Sequence, residues 1–181
     1  MGTVLAVSIG PVAVHEWQGR RVRTAIFKSP VDGPVMVRSD RLEGDGRGDP
    51  RAHGGPHNAV YAYAAEDLQW WSDQLSRALG HGVMGENLTL EGADLTEGVI
   101  GERWRVGGAL LEVVKRRRPC FKLGLRLGDP EFPARFADAG RLGVYLRVLE
   151  EGLVAAGDQI VRVPPPEGAP TRDSRLGSGT R

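Results

Sequence analysis

Cys120, the single cysteine of the chain, directly follows a run of cations and a proline, and its thiol is the first candidate for chemistry. Neighbouring cations stabilise a thiolate relative to a thiol, and the thiolate is the form that attacks electrophiles and binds soft metals. Pro119 fixes its own backbone angle φ and restricts Arg118, so the backbone sets the direction of the sulfur. A lone cysteine is also commonly a small buried hydrophobic residue. From the residues alone, both interpretations of Cys120 stay open.

The cations before it are Lys115, Arg116, Arg117 and Arg118, at the end of an apolar stretch that spans residues 109–114. Successive side chains of a strand point to opposite faces, so at most two of the four share one side. One interpretation is a solvated strand end. The other is an anion pocket, because a pair of arginines grips phosphate bidentately in a way that lysine cannot.

Residues 53–57 read His-Gly-Gly-Pro-His and begin with His53, Gly54 and Gly55. This segment is predicted to be a loop, because Gly-Gly-Pro cannot continue a helix, and a metal-binding histidine pair four residues apart requires a helix. The backbone N–H groups of such a glycine-rich loop could cradle an anion beside an imidazole. The alternative is an ordinary turn that leads into the next strand.

Residues 44–49, Gly-Asp-Gly-Arg-Gly-Asp, superficially resemble a calcium-binding loop. Arg47 stands where a ligand belongs and Pro50 replaces the required glycine, so the calcium interpretation fails.

Composition limits the kinds of protein that the chain can be. Its 181 residues are 40% hydrophobic, which suffices for one domain with a real core and is thin for two. The net charge of +1 argues against a global field that attracts nucleic acid or a membrane. One cysteine excludes an internal disulfide and a four-cysteine zinc site. No export signal or membrane-spanning stretch is visible, so we expect a cytoplasmic protein.

The elements that must position these residues are mostly short strands. Period-two patterns and the abundance of glycine and proline predict a mainly β (α+β) fold with eight strands, at residues 4–9, 23–27, 35–37, 59–63, 103–106, 109–114, 142–149 and 159–163. Gly107 and Gly108 predict a hairpin between the fifth and sixth of these strands. Two peripheral helices are expected, at residues 66–79 and 129–140.

The composition changes at residue 164. Residues 164–181 contain Pro, Gly, Ser, Thr and Arg with hardly an apolar side chain, which is typical of a disordered tail. We therefore place the domain at residues 1–163.

Taken in order along the chain, the motifs resemble the MOSC domain, a family related to the C-terminal domain of molybdenum cofactor sulfurase, and above all its small stand-alone bacterial members. The resemblance covers residues 4–163, and it rests on Gly44-Asp45-Gly46, His53-Gly54-Gly55-Pro56, Gly85-Glu86-Asn87-Leu88, Pro119-Cys120, Gly143-Val144-Tyr145 and Gly157-Asp158.

This resemblance implies a MOSC-type β-barrel that binds the pterin-based molybdenum cofactor, molybdopterin with its metal. It further implies that Cys120 is the catalytic residue and the molybdenum ligand. Lys28, Arg117 and Arg118 are then expected to hold the cofactor's phosphate. Asn87 and the loop of His53, Gly54 and Gly55 are expected to position the pterin.

Three functions follow as hypotheses. The first is a reductase of small N-hydroxylated compounds that takes electrons from a separate flavin or iron–sulfur reductase, with no membrane and no nucleic acid as partner. The second is a non-enzymatic carrier of the cofactor or of its sulfur. The third is an arginine-rich barrel that binds RNA, which the lack of interleaved aromatic residues and the near-neutral charge disfavour.

Overall fold

The computed structural model of the protein describes residues 2–48, 56–95 and 100–164. Within these ranges the chain forms twelve strands: β1 (Gly2–Ile9), β2 (Ala13–Trp17), β3 (Arg20–Thr24), β4 (Ser29–Pro30), β5 (Val35–Val37), β6 (Val60–Ala64), β7 (Leu88–Glu91), β8 (Arg103–Val106), β9 (Ala109–Arg116), β10 (Val144–Glu150), β11 (Gly152–Val154) and β12 (Gln159–Val163). The same ranges contain three α-helices: α1 (Ala65–Gln74), α2 (Phe121–Leu127) and α3 (Phe132–Ala139).

Seven of these strands close into a barrel in the order β12-β8-β9-β10-β6-β7-β1, and β1 pairs back onto β12. All neighbours in the ring are antiparallel except β6 and β7, which run parallel with Ala62 opposite Leu88. Closure removes the unpaired edges that an open sheet would present. The predicted mainly β barrel with peripheral helices is confirmed.

The barrel interior is filled by aliphatic side chains from alternate positions of the strands. Val4, Leu88, Leu111 and Leu146 are fully buried there, as period-two alternation requires of a strand with one face inside. β6 is buried along its whole length, because one of its faces is covered by the barrel interior and the other by the helices.

A second core, rich in aromatic side chains, fixes the helices to the outside of the barrel. The Trp71 ring of α1 lies 4.7 Å from Phe132 and 6.0 Å from Phe136 of α3, and Phe136 lies 5.9 Å from Tyr63 of β6. These rings are fully or almost fully buried. Their large apolar area makes this cluster the main attachment of α1 and α3.

Most of the predicted strands are found at or near their predicted bounds, and those at 35–37, 103–106 and 159–163 coincide with β5, β8 and β12. The hairpin of β8 and β9 is confirmed, with Val106 opposite Ala109 and Gly107 at φ +52° in its turn. The strand predicted at 23–27 is wrong in its bounds. The period-two pattern there belongs to β3, which pairs with β2 around a turn in which Gln18 and Gly19 both have positive φ.

The predicted helix at 66–79 ends early, at Gln74, because Ser76 adopts φ +47° and the chain leaves the helical path. The Ser72 hydroxyl then accepts a hydrogen bond from the Leu79 backbone N–H at 3.1 Å. The helix predicted at 129–140 is α3, and it begins three residues later, at Phe132. Helix α2 was not predicted. Apart from Pro164, the predicted tail lies outside the described residues.

Gly143 joins α3 to β10 and packs against the barrel so closely that it tolerates no side chain. It has φ +64°, and a Cβ there would lie 2.5 Å from the Ala62 carbonyl oxygen and 2.8 Å from Cδ2 of Tyr63. Gly140, at φ +68°, has open space instead. The two positions therefore separate the cost of a left-handed backbone from the cost of a steric clash.

We expect Gly143→Ala to lower the free energy of unfolding by about 3 kcal/mol or more, because it adds a clash with the backbone to the left-handed penalty. Gly140→Ala carries only that penalty, about 1 kcal/mol. Urea denaturation followed by circular dichroism measures both. Equal losses for the two variants would contradict the assigned packing.

Candidate functional site

One cavity lies beside the barrel, and its walls come from six separate parts of the chain. Its lining residues include Thr24, Ala25, Ile26 and Lys28 after β3, Arg41 and residues 45–48, Asn58, Ala59 and Tyr61 around β6, Gly85 and Asn87 before β7, Arg117, Arg118, Cys120 and Lys122 after β9, and Tyr145 of β10. Among these lining residues, six are lysine or arginine and one, Asp45, is a carboxylate. The cavity therefore has a strongly positive interior.

Cys120 stands at the turn between β9 and α2. Its backbone is extended, with φ −140° and ψ 163°, and its carbonyl accepts a hydrogen bond from the Leu123 N–H at 2.9 Å. The side chain is half-buried and lines the cavity, so it is not part of either hydrophobic core. Of the two interpretations that the sequence left open, the structure supports the thiol that faces a cavity.

Arg117 is the buried cation of the basic run. It is 5% exposed, its Nη1 donates a hydrogen bond to the Met84 carbonyl, and its guanidinium lies 4.7 Å from the centre of the Tyr61 ring. Its backbone N–H donates to the Gly143 carbonyl at 3.4 Å. In the described part of the chain no carboxylate comes within ion-pair distance of this guanidinium. Its positive charge is therefore available to an anion in the cavity.

The neighbouring cations differ in burial. Arg118 is exposed and lines the cavity at its rim, whereas Lys122 of α2 is 9% exposed and lines it deeper. Neither has an ion-pair partner among the described residues. Lys115 turns away and lies over the Tyr145 ring, 5.6 Å from its centre.

Asp45 organises another part of the wall by accepting three hydrogen bonds. Its Oδ1 accepts from the Gly10 N–H at 2.9 Å and from the Lys28 ammonium, and its Oδ2 accepts from the Asn87 amide at 3.0 Å. Lys28 and Asp45 are both about 8% exposed at their side chains. Burial lowers the pKa of Lys28, and the ion pair with Asp45 opposes that effect.

The Asn87 side chain is almost entirely engaged with the protein. Its Nδ2 donates to the Ser8 carbonyl at 3.1 Å as well as to Asp45, and its Oδ1 accepts from the Tyr61 N–H at 3.2 Å. Both amide hydrogens are thus used, which leaves only acceptor capacity on Oδ1. Asn87 borders the cavity and connects β1, β6 and Asp45 through these hydrogen bonds.

Glu86 lies directly behind this wall and is fully buried. Its Oε1 accepts hydrogen bonds from the Gly82 N–H at 2.6 Å and from the Thr89 hydroxyl at 3.1 Å, while Oε2 has no partner within the described residues. Burial raises the pKa of Glu86 above its ordinary value of 4.5, although these hydrogen bonds and Arg117 oppose the effect. The native state therefore retains the Glu86 proton at a pH where the unfolded chain has lost it.

Five of the eight predicted site residues meet at this cavity: Lys28, Asn87, Arg117, Arg118 and Cys120. The other three, His53, Gly54 and Gly55, lie outside the described residues. Asp45, Lys122, Arg41 and Arg47 also line the cavity and were not predicted as site residues. The glycines on either side of Asp45 were a usable signal, because they allow the close approach of its backbone to Gly10, whose carbonyl accepts the Gly46 N–H at 2.8 Å.

Two further properties bear on the chemistry. The described residues contain no group of three or more His, Cys, Asp or Glu side chains arranged to hold a metal ion. None of the helices in the same ranges has the length and apolar character that crossing a bilayer requires.

We expect Glu86→Gln to change how stability depends on pH. As the pH rises from 4.5 towards the raised pKa, the native protein binds more protons than the unfolded chain, so its free energy of unfolding falls relative to that of a variant without this carboxyl. Each unit of raised pKa contributes about 1.4 kcal/mol to that difference.

Urea titrations of both proteins between pH 4 and pH 8 measure this difference, with the exposed Glu91→Gln as control. The free energy of unfolding of Glu86→Gln should rise relative to that of the wild type across this range. The control curve should run parallel to the wild-type curve. A parallel Glu86→Gln curve would show that Glu86 ionises normally in the native state.

Comparison with known proteins identifies the family and the fold. The sequence profile of the MOSC domain matches residues 49–161. YflK of Bacillus subtilis is 38% identical over 155 residues, which are 86% of this chain and 70% of YflK. A reductase of Gibberella moniliformis is 32% identical over 163 residues, 88% of this chain and only 29% of the reductase.

Solved structures agree with the sequence matches. The crystal structure of YiiM from Geobacillus stearothermophilus superposes with a TM-score of 0.74 at 29% identity, over 94% of this chain and 80% of YiiM. The extent of these matches, together with the closed barrel, establishes that the chain belongs to the MOSC domain family.

Proposed function

We propose that the protein binds the molybdenum cofactor in this cavity and reduces small N-hydroxylated compounds, with Cys120 as the protein ligand of the metal. One observation carries the proposal: the single thiol of the chain lines a cavity whose described charged side chains are six cations and one carboxylate. Membership of the MOSC family and the similarity to a reductase over 29% of that protein's length support it.

The donor set fits a metal that arrives inside an organic group. A bare metal ion usually needs three or four protein ligands, and the described residues contain no such cluster. A metal that brings its own sulfur ligands needs only one more, and a thiolate is the soft ligand suited to it. Cys120 is in the right surroundings for that role, since it is half-buried and lines the cavity.

The cations fit the phosphate of such a cofactor. Arg117 and Lys122 are both buried and neither has an ion-pair partner in the described ranges, so an anion between them would offset the cost of burying their charge. Arg118 lies one residue from Arg117 and can add a bidentate contact from the rim. Together with Cys120 they form a segment that we call the helix wall, residues 117–122.

Lys28 and Asn87 contribute to cofactor binding mainly through a fixed positive charge and through the rigidity of the cavity wall. The Lys28 ammonium contributes positive charge from a fixed position, because Asp45 holds it. Oδ1 of Asn87 can accept one more hydrogen bond, from the cofactor. The other hydrogen bonds of this side chain hold the cavity wall in place. His53, Gly54 and Gly55 are assigned to the pterin by family resemblance alone.

The reaction consumes two electrons and two protons: the N–O bond of the hydroxylamine breaks, the nitrogen becomes an amine, and the oxygen leaves as water. When bound, the cofactor supplies the electron transfer, with electrons from a separate flavin or iron–sulfur reductase. The chain's own residues bind the phosphate, orient the metal through Cys120 and keep the cavity wall rigid through Asp45.

We expect Cys120→Ala to abolish reduction of an N-hydroxylated purine by cofactor-loaded protein with reduced viologen as electron donor. The loss should exceed the about 10- to 100-fold that follows removal of a residue behind the metal ligands, because the ligand itself is gone. The free energy of unfolding should change by less than about 0.5 kcal/mol, since the side chain is half-buried and outside both cores.

Metal and pterin analysis of the same samples completes the test. Wild-type rates in Cys120→Ala would refute the ligand assignment. Wild-type protein that contains the cofactor but turns over no substrate would favour the carrier function instead.

A further inference from the structure

Arg41 and Arg47 also line the cavity. The phosphate of the proposed cofactor can be neutralised by other cations, so these two arginines are left for another role. They belong to residues 41–48, which we call the loop wall, together with Asp45, Gly46 and Gly48. The helix wall already supplies Arg117, Arg118 and Lys122 close in sequence to Cys120. A phosphomonoester carries a charge of about −1.5 to −2 and is neutralised by two or three such cations.

The two arginines of the loop wall share a single carboxylate partner among the described residues. Arg41 Nε lies 3.9 Å from Oδ2 of Asp40, and Arg47 Nη1 lies 3.4 Å from the same oxygen, so one carboxylate serves two guanidinium groups. Asp40 itself does not line the cavity. Nη2 of Arg47 is buried and has no hydrogen-bond acceptor among the described residues, and a buried donor without an acceptor is costly.

The backbone around Arg47 is held firmly in place. Gly46 donates a hydrogen bond to Gly10, and the Gly48 carbonyl accepts one from Arg23 Nη1 at 3.0 Å. A Cβ at Gly48 would lie 2.5 Å from Cα of Thr24, so this glycine packs directly on the end of β3. Arg47 therefore projects from a fixed backbone, as a binding residue should.

Most of the helix wall lies deeper than the loop wall. Arg117 and Lys122 are buried and Arg118 is exposed at the rim, whereas the Arg41 side chain is 49% exposed and that of Arg47 is 17% exposed. A substrate that enters over a bound cofactor meets the more exposed cations first. The loop wall is thus the part of the cavity that is left for an anion on the substrate.

We propose that the loop wall binds a phosphate of the substrate, so that the preferred substrate is a phosphorylated N-hydroxylated nucleotide rather than the free base. This inference rests on the proposed reductase function. The same phosphate chemistry could also come from a nucleotide attached to the cofactor, and the experiment separates the two sources. Reduction of the N–O bond in 6-hydroxylaminopurine ribonucleotide would yield adenosine 5′-monophosphate and water.

The main measurement is kcat/KM for 6-hydroxylaminopurine, its riboside and its riboside 5′-monophosphate, with reduced viologen as electron donor. We expect the monophosphate to be preferred over the free base by about tenfold or more, the effect of one or two charge-assisted hydrogen bonds. Because the attraction is electrostatic and the rim is exposed, this preference should shrink as the salt concentration rises.

In the double variant Arg41→Gln/Arg47→Gln the preference ratio should fall to near one. The matched control is Arg105→Gln/Arg162→Gln, which also removes two ion-paired arginines but none that lines the cavity. The control should keep the wild-type ratio. Equal kcat/KM for the free base and the monophosphate in the wild type would overturn the inference and leave the reductase function standing.

A second readout is independent of turnover. Calorimetric titration of the purified protein with adenosine 5′-monophosphate should show binding that the double variant weakens about tenfold or more and the control variant retains. If none of the three compounds is reduced, the proposed function fails, and this titration decides the loop-wall subsite by itself. Absence of any difference between double variant and control would refute it.

Mass analysis of the extracted cofactor distinguishes the source of the phosphate. A cofactor with a single phosphate leaves the loop wall to the substrate, as proposed. A dinucleotide cofactor that is lost from the double variant and kept in the control would assign these arginines to the cofactor and overturn the proposal.

Discussion

A buried guanidinium that has no carboxylate partner in the described part of the chain is the constraint on which the site depends. Arg117 keeps its charge under all ordinary conditions, and it is stabilised by the Met84 carbonyl and by the face of the Tyr61 ring rather than by an ion pair. A carboxylate in that place would have neutralised the cavity. The carbonyl and the ring stabilise the guanidinium without cancelling its charge. The positive potential of Arg117 therefore acts on the cavity that Cys120 also lines. Burial raises the pKa of the nearby Glu86, so this carboxyl holds its proton to a higher pH than an exposed glutamate would.

Asp45 provides the rigidity that such a charged cavity needs. Lone cations around a cavity repel one another, and flexible side chains would turn outwards to water. Asp45 prevents this for Lys28, and through the Gly10 N–H and the Asn87 amide it ties β1, the loop wall and the segment before β7 together. Its three donors come from positions 35, 17 and 42 residues away in the chain. The carboxylate is thus a structural counter-ion whose position is fixed by long-range contacts.

This dependence on long-range contacts explains which parts of the site could be predicted from the sequence. Strands β5, β8 and β12 follow from local alternation and flanking turns, and their predicted bounds are correct. Cys120, Arg117 and Arg118 are adjacent in the chain, so their common location needs only a strand end. The roles of Asp45 and Arg47 were missed because the glycines in residues 44–48 indicate a close backbone approach but do not say that its partners are Gly10 and Thr24. Helix α2 was missed because it is only seven residues long and contains a glycine, so its formation depends on tertiary packing.

The same reasoning limits what net charge can say about function. The chain has 24 lysines and arginines against 23 acidic residues, a balance that argues against a uniformly charged surface. The fold nevertheless gathers six of those cations around one cavity, with a single carboxylate among its described lining residues, while other arginines on the surface, such as Arg38 and Arg105, are paired with glutamates. Field strength inside a cavity depends on this local imbalance and on the low-dielectric walls, not on the total. A MOSC barrel of almost neutral charge can therefore hold a cavity with a strongly positive lining, because the fold brings Lys28, the loop wall and the helix wall to one place.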